Sequence, residues 1–185
     1  MTHGRDIEPW YRWQNMKTGI FLLAILFSSE TLFAQSPDKI FQYTELGLND
    51  FVVTNIDSKA KEEIYTKTLN WVKETYKNPD LVLKMKIENE KIRIDAIASG
   101  LLKTRNLTSD LGYVVEISFK DNKYKFEIVS LLYDNSTDYK KIPNFKTDSR
   151  MVKNFGATPT DIEKYFNRLN ESLKTYLTGE KKDDW

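Results

Sequence analysis

The hydrophobic pattern of the chain is most regular over residues 58–77, where apolar side chains recur every three or four positions. Charged and amide side chains fill the opposite side of the same stretch. This spacing predicts an amphipathic helix that packs its apolar stripe on another element. Ser58 is placed to cap the first turn, and Asn78-Pro79-Asp80 is expected to end the helix. The apolar positions are Ala60, Ile64, Tyr65, Thr68, Leu69, Trp71, Val72 and Tyr76.

Four strands are predicted after this helix, because apolar and polar residues alternate in four runs. A β-rich run at residues 51–54 adds a strand before it. Such alternation is typical of antiparallel strands with one buried face and one solvent-facing face. Turns at Asn89-Glu90 and Asp121-Asn122 suit tight hairpins, and residues 103–111 are expected to form a longer loop before Gly112. The inward positions are Leu81, Leu83, Met85 and Ile87; Ile92, Ile94, Ala96 and Ala98; Tyr113, Val115, Ile117 and Phe119; and Tyr124, Phe126 and Ile128.

A second amphipathic helix is predicted to begin at residue 158. Thr158-Pro159-Thr160-Asp161 combines a capping threonine, a proline at the first helical position and an early acidic residue. Gly179 is placed to end this helix. The polar stretch 134–157 before it is expected to be a long surface loop. The apolar stripe comprises Ile162, Tyr165, Phe166, Leu169, Leu173, Tyr176 and Leu177.

Residues 16–34 have the pattern of a secretory signal peptide, with Lys17, an apolar run from Gly19 to Phe27 and Ala34 near the cleavage point. The apolar run is about nine residues long, well short of the roughly 20 that cross a bilayer. We therefore expect a protein exported to the periplasm or the extracellular space, without a stable membrane span after signal removal. The expected organisation is 1–15 as a non-native or mis-assigned extension, 16–34 as signal peptide, 35–49 as linker, 50–179 as one domain and 180–185 as loose tail.

Composition narrows the function further. Lys and Arg number 28 against 27 Asp and Glu, and a net charge of +1 gives no overall field for nucleic acid or an anionic membrane. The absence of cysteine excludes disulfides, thiolate nucleophiles and thiolate metal sites. The single histidine, His3, precedes the predicted domain, which removes the usual general base and metal ligand. We predict no nucleic-acid partner, no cofactor, and no catalytic or metal-binding residue.

Two segments resemble an exported bacterial family known as a domain of unknown function with a TATA-binding-protein-like fold. The first runs from Phe51-Val52-Val53 through the helix entry at 58–65 and includes Trp71; the second is the hairpin 112–126, with Asn122 where the family usually has glycine. The resemblance covers residues 50–134 well and the C-terminal helix loosely, and it implies an exported protein of Gram-negative bacteria. The elements predicted above follow the order β-α-β-β-β-β-α, and the resemblance implies an α+β fold with a curved antiparallel sheet packed on two helices. It carries no known catalytic residues, so none is transferred.

The solvent-facing positions of the strands form the candidate binding surface. Their charges are mixed in sign and lack the apolar wedges with which the TATA-binding protein opens DNA, so DNA binding is not favoured. Three of the carboxylates are candidates for acid–base chemistry, but cross-strand ion pairs are the expected role. The candidate surface residues are Lys84, Lys86, Arg93, Asp95, Glu116, Lys125 and Glu127, of which Asp95, Glu116 and Glu127 are the carboxylates.

A calcium-type spacing of oxygen ligands occurs at Asp134-Asn135-Ser136-Thr137-Asp138. Tyr139 and Phe145 replace the glycine and glutamate that such a loop needs, so a polar turn is predicted instead.

The predicted function is that of a non-catalytic periplasmic or cell-surface module that binds an unknown protein partner through the charged sheet face or an edge strand. The alternative is a protein that binds a small apolar ligand in a pocket between the sheet and the helices. A carboxylate-dependent hydrolase is the third and least favoured hypothesis.

Overall fold

The computed structural model describes residues 40–133 and 137–179. The predicted extension 1–15, signal peptide 16–34 and tail 180–185 lie outside these residues. The strands are β1 (Tyr43–Thr44), β2 (Gly47–Leu48), β3 (Phe51–Asn55), β4 (Leu83–Ile87), β5 (Lys91–Lys103), β6 (Thr108–Lys120) and β7 (Lys123–Leu132). The helices are α1 (Lys61–Thr75), α2 (Pro79–Val82), α3 (Ser149–Phe155) and α4 (Thr158–Thr178), and a 3-10 turn spans Tyr139–Lys141.

Five strands form one antiparallel sheet in the order β3-β7-β6-β5-β4, and β1 pairs with β2 in a separate hairpin. The predicted alternation is confirmed along β5, β6 and β7. Ile92, Ile117 and Phe126 are opposite one another on adjacent strands and are fully buried, because side chains directly opposite in antiparallel strands share a face. Helices α1 and α4 pack on this buried face.

The main core lies between that sheet face and the two long helices. The predicted helical stripes are confirmed by burial of Trp71 and Val72 on α1, and of Phe166 and Leu173 on α4. The rings of Tyr113 and Phe166 meet edge to face, with centroids 5.3 Å apart. The α+β class is therefore confirmed, with two further helices and one further hairpin than the sequence predicted.

Helix α1 begins three residues later than predicted. Ser58 does not cap it, because Ser58 has φ 57° and lies before the N-cap residue, Ala60. Side chains of the β6–β7 turn accept hydrogen bonds from backbone N–H groups at the start of α1. Asp121 Oδ1 accepts from Lys61 N at 3.0 Å, and Asn122 Oδ1 accepts from Lys59 N at 3.1 Å. The helix start therefore depends on a turn far away in sequence, which local pattern does not reveal.

Strands β5 and β6 are longer than predicted, and the predicted loop 103–111 is wrong. Strand β5 continues to Lys103 and β6 begins at Thr108, so that Gly112 lies inside β6 rather than at its start. A register shift between Ala98 and Leu102 interrupts the alternation and hides the extension. Before β4, Leu81 and Val82 belong to α2, so the first predicted strand is shorter than expected.

The described part of the predicted linker, residues 40–49, packs into the core. Phe41, Tyr43 and Leu48 are all buried. Three hydrogen bonds from α4 hold the segment. Asn167 Oδ1 accepts from Phe41 N and Glu163 Oε1 accepts from Tyr43 N, each at 2.8 Å, and Asn167 Nδ2 donates to the carbonyl oxygen of Phe41 at 2.9 Å. The linker prediction is wrong for these residues because their burial comes from long-range contacts without a periodic pattern.

The predicted surface loop 134–157 is also wrong where the structure describes it. Tyr139 and Phe145 are buried, and Phe145 meets Phe155 of α3 edge to face at 5.2 Å. The hairpin β1–β2 lies against this segment at Gly47, where a Cβ atom would lie 2.5 Å from the carbonyl oxygen of Lys140. Gly47 also has φ 115°, so both its backbone and its position require glycine.

Helix α4 begins at Thr158 and ends before Gly179, which has φ 73°, as predicted. Thr158 nevertheless does not cap its own helix. Its hydroxyl donates to the carbonyl oxygen of Lys103 at 2.6 Å and accepts from Lys103 N at 2.9 Å. The threonine therefore ties the start of α4 to the end of β5.

Candidate functional site

The candidate site is the sheet face turned away from α1 and α4, which we call the open face. The strand register decides its members, because directly opposite residues point to the same side. These are Phe51 and Val53 on β3, Lys125 and Glu127 on β7, Val114, Glu116 and Ser118 on β6, Lys91, Arg93, Asp95 and Ile97 on β5, and Met85 and Ile87 on β4.

A cluster of ion pairs occupies the centre of this face. Glu116 is only 9 % exposed and accepts hydrogen bonds from Lys91 Nζ at 2.6 Å and from Arg93 Nη2 at 2.7 Å. Burial acts to raise the pKa of Glu116, but the hydrogen bonds and charges of Lys91 and Arg93 outweigh it and hold the pKa below its ordinary value. Glu116 therefore remains ionised near neutral pH and serves as the anchor of the cluster.

Five of the seven predicted surface residues share the open face: Arg93, Asp95, Glu116, Lys125 and Glu127. Lys125 and Glu127 form an ion pair along β7.

The other two predicted residues, Lys84 and Lys86, are not part of the open face as the register has it. Lys86 lies opposite Ile92 and thus on the helix-facing side, at the exposed edge of the sheet. Lys84 lies at the register shift between Leu83 and Met85. A shift of one residue moves side chains to the other face, so Met85 takes the position opposite Arg93.

The carboxylates do not form an isolated acid–base pair. Glu116 and Glu127 are direct cross-strand neighbours, but each is paired with a cation. Asp95 lies opposite Val114, and its Oδ1 atom is buried without a hydrogen-bond partner within the described residues. Glu116 therefore has the expected cross-strand ion-pair role, whereas Glu127 pairs with Lys125 on its own strand.

The calcium-type sequence lies partly outside the described residues, since 134–136 are not among them. Asp138 Oδ1 accepts hydrogen bonds from Leu131 N at 3.0 Å and Lys140 N at 3.1 Å, so it stabilises the backbone of the turn. Within residues 40–133 and 137–179, no group of three or more His, Cys, Asp or Glu side chains is arranged to hold a metal ion.

Exposed apolar side chains around the central cluster were missed by the sequence reasoning. Phe51 is 46 % exposed, Ile87 44 % and Ile97 67 %. The Lys125 ammonium lies 5.3 Å from the centre of the Phe51 ring, a cation–π distance. The available signal was Ile97, which breaks the polar series at the outward positions of β5.

An open depression of about 720 Å³ lies at one end of this face, beside the central cluster. It is formed where β5, β6 and β7 extend past the ion pairs. Its lining includes Asp95, Ile97, Asp110, Ser130 and Tyr133. The depression combines two carboxylates with exposed apolar and hydroxyl groups.

The layer between the sheet and the helices contains three tyrosines whose hydroxyl groups are in mutual contact. The hydroxyl of Tyr113 lies 3.0 Å from that of Tyr76 and 3.2 Å from that of Tyr165, so the three phenols satisfy one another. Burial raises the pKa of all three above the ordinary value. They remain protonated at neutral pH and pack as part of the core.

In the part of the chain that the structure describes, none of the helices is both long and apolar enough to cross a bilayer.

The fold of the chain is similar to that of known proteins. A TBP-like protein from Parabacteroides distasonis has a similar solved structure, with 16 % sequence identity, a TM-score of 0.50, and 71 % of this chain and 92 % of that chain covered. A DUF4468 family protein from Bacteroides ovatus is also similar, with 11 % identity, a TM-score of 0.49, and 78 % of this chain and 93 % of that chain covered. At such identities the likeness to the first concerns the fold alone. No curated protein matches the chain.

The family model described as "Domain of unknown function (DUF4468) with TBP-like fold" matches residues 51–134. This segment contains β3, α1 and the strands β4 to β7, and therefore most of the open face. The resemblance predicted from the sequence is confirmed, because residues 51–134 match the model of the DUF4468 family with its TBP-like fold.

Proposed function

We propose that this protein is a non-catalytic interaction module that binds a protein partner through the open face. The observation that carries the proposal is the composition of that face: an ordered cluster of charged side chains surrounded by exposed apolar ones. Protein interfaces combine such features, with aromatic and aliphatic contacts supported by charged groups that fix register. The ion pairs of Glu116 are formed before any partner arrives, so binding costs little reordering there.

The apolar positions favour recognition rather than simple solvation. Single exposed apolar residues are normal on protein surfaces, but a shared face of them is not explained by folding. Phe51 and Val53 lie on β3, an edge strand of the sheet, and Ile87 lies on β4, the other edge. A partner that spans the sheet can therefore contact apolar side chains at both edges and charges between them.

The proposal includes action after export, in the periplasm or at the cell surface. The signal-type pattern at residues 16–34 supports it. Mass spectrometry of the protein from fractionated cells tests this part, because an N-terminus near Gln35 in the exported fraction is expected. Recovery of the full-length chain from the cytoplasm alone would contradict it.

Site-specific photo-crosslinking tests the interaction surface. A benzophenone amino acid replaces Phe51 on the open face in one variant, and Val152 on α3 in the control variant. Both native side chains are 46 % exposed, so the two positions offer equal access to solvent. In the native host, irradiation is expected to give a discrete adduct from position 51 and none of the same mass from position 152.

Equal labelling from both positions, or a discrete adduct only from position 152, would contradict binding through the open face. A second open-face position, Ile97, guards against loss of the contact by the substitution itself. It is 67 % exposed and lies on β5 rather than β3.

A further inference from the structure

The depression at the end of the open face has an uncompensated negative charge. Its lining contains two carboxylates, Asp95 and Asp110, and no lysine or arginine. Neither carboxylate forms an ion pair within the described residues, in contrast to Glu116 and Glu127 on the same face. Charges of one sign in a concave, partly apolar surface concentrate their field in the space above it.

Asp95 shows that the fold itself does not satisfy this charge. Its Oδ1 atom is buried and has no hydrogen-bond partner in the described part of the chain. A buried carboxylate oxygen without a donor is costly, and because this oxygen has almost no accessible surface, a cation in the depression acts on the carboxylate through charge and offsets part of that cost. Asp110 Oδ1 is engaged differently, since it accepts a hydrogen bond from Gly100 N at 2.8 Å.

The remaining walls suit a long basic side chain. Ile97 and Tyr133 are 67 % and 48 % exposed and offer apolar surface to an aliphatic stem. The Tyr133 ring can also contact a guanidinium face, and the Ser130 hydroxyl adds an acceptor. A volume of about 720 Å³ leaves room for the residues that flank such a side chain in a peptide.

We propose that this depression is the specificity pocket of the open face and takes a lysine or arginine side chain from the partner protein. The inference rests on the proposed interaction function and adds the chemistry of the partner: a basic residue with apolar neighbours. The central cluster then fixes the orientation of the partner, while Asp95 and Asp110 select its basic residue.

Peptide selection tests this directly. Random twelve-residue peptides displayed on phage are selected on the immobilised full chain, and the best binders are synthesised for affinity measurement. The test variant is Asp95→Asn with Asp110→Asn; the matched control is Asp57→Asn with Asp80→Asn, two exposed carboxylates that lie outside the five-stranded sheet and outside the lining. Circular dichroism checks that each variant folds.

We expect enrichment of peptides with one Lys or Arg next to apolar residues. These should bind the double variant about tenfold more weakly and the control within about threefold of the unchanged chain. Enrichment of acidic or purely apolar peptides, or Lys/Arg peptides equally bound by the double variant, would overturn the pocket assignment and leave the open-face function standing. Peptides insensitive also to Phe51→Ser and Ile97→Ser, or no selected peptide at all, would overturn both.

Discussion

Truncation of Trp71 tests the packing of α1 against the sheet. The ring is 2 % exposed, its centroid lies 6.1 Å from that of Tyr76 in an edge-to-face contact, and its Nε1 donates to Ser172 Oγ at 3.1 Å. Replacement of a fully buried Trp by Ala typically costs about 3–5 kcal/mol, and the fully enclosed ring indicates the upper half of that range. Because a domain of this size is stable by only about 5–15 kcal/mol, the variant is expected to be close to unfolding.

Two further variants separate the contribution of the hydrogen bond from that of ring packing. Ser172→Ala removes only the hydrogen-bond acceptor, and since Ser172 is exposed, water replaces it at a cost of less than about 1 kcal/mol. Trp71→Phe keeps an aromatic ring and is expected to cost about 1–2 kcal/mol. The free energies of unfolding come from urea titrations of the full chain, followed by far-ultraviolet circular dichroism because Trp10, Trp13 and Trp185 add fluorescence from elsewhere. A loss below about 1 kcal/mol for Trp71→Ala would refute the account of this core.

Three other predictions follow from named contacts. The lowered pKa of Glu116 means that its ionised form stabilises the fold above the unfolded-state pKa, and that this stabilisation is lost as pH falls through the lower folded-state pKa. Glu116→Gln should therefore be about 1–2 kcal/mol less stable than the unchanged chain at pH 7, and this difference in stability should become smaller on acidification. A difference in the free energy of unfolding that does not change with pH in urea titrations would contradict this. Asn122 has φ 62° and accepts a hydrogen bond from Lys59 N. Alanine and glycine both remove that hydrogen bond, but only alanine is strained at positive φ, so Asn122→Ala should be about 1 kcal/mol less stable than Asn122→Gly in thermal unfolding. Equal stabilities would be inconsistent with strain at this turn. Ile94 is fully buried, and Ile97 is 67 % exposed on the other face of the same strand. In urea titrations, Ile94→Ala should therefore lower the free energy of unfolding by about 2–5 kcal/mol and Ile97→Ala by less than about 0.5 kcal/mol. The reverse order would disprove the register of β5.

The sheet was predictable where burial follows local alternation. Ile92 and Ile94 on β5, and Val115 and Ile117 on β6, all point inward as their spacing predicts. The pattern fails where a residue is inserted, because each register shift reverses the faces that follow it. Lys86 was therefore assigned to the wrong face.

Segments held by long-range contacts escaped prediction for a different reason. The backbone N–H groups of Phe41 and Tyr43 donate hydrogen bonds to side chains of α4, more than a hundred residues away in sequence. No local periodicity marks these two residues as buried. The start of α1 similarly depends on Asp121.

The candidate site was predictable in its charges but not in its apolar part. Arg93 and Glu116 were recognised as neighbours on one face because they occupy outward positions of adjacent strands. The depression at Asp95 depends on how far β5 and β6 extend beyond Ala98, which the interrupted alternation concealed.

Isoleucine methyl NMR of the full chain tests the open face most directly. Spectra are recorded with and without the purified protein that crosslinks at position 51. The account predicts that the methyl signals of Ile87 and Ile97, which lie on the open face, shift on binding, while that of fully buried Ile162 on α4 stays in place. Shifts confined to Ile40 or Ile142, which lie outside the five-stranded sheet, would contradict binding at the open face.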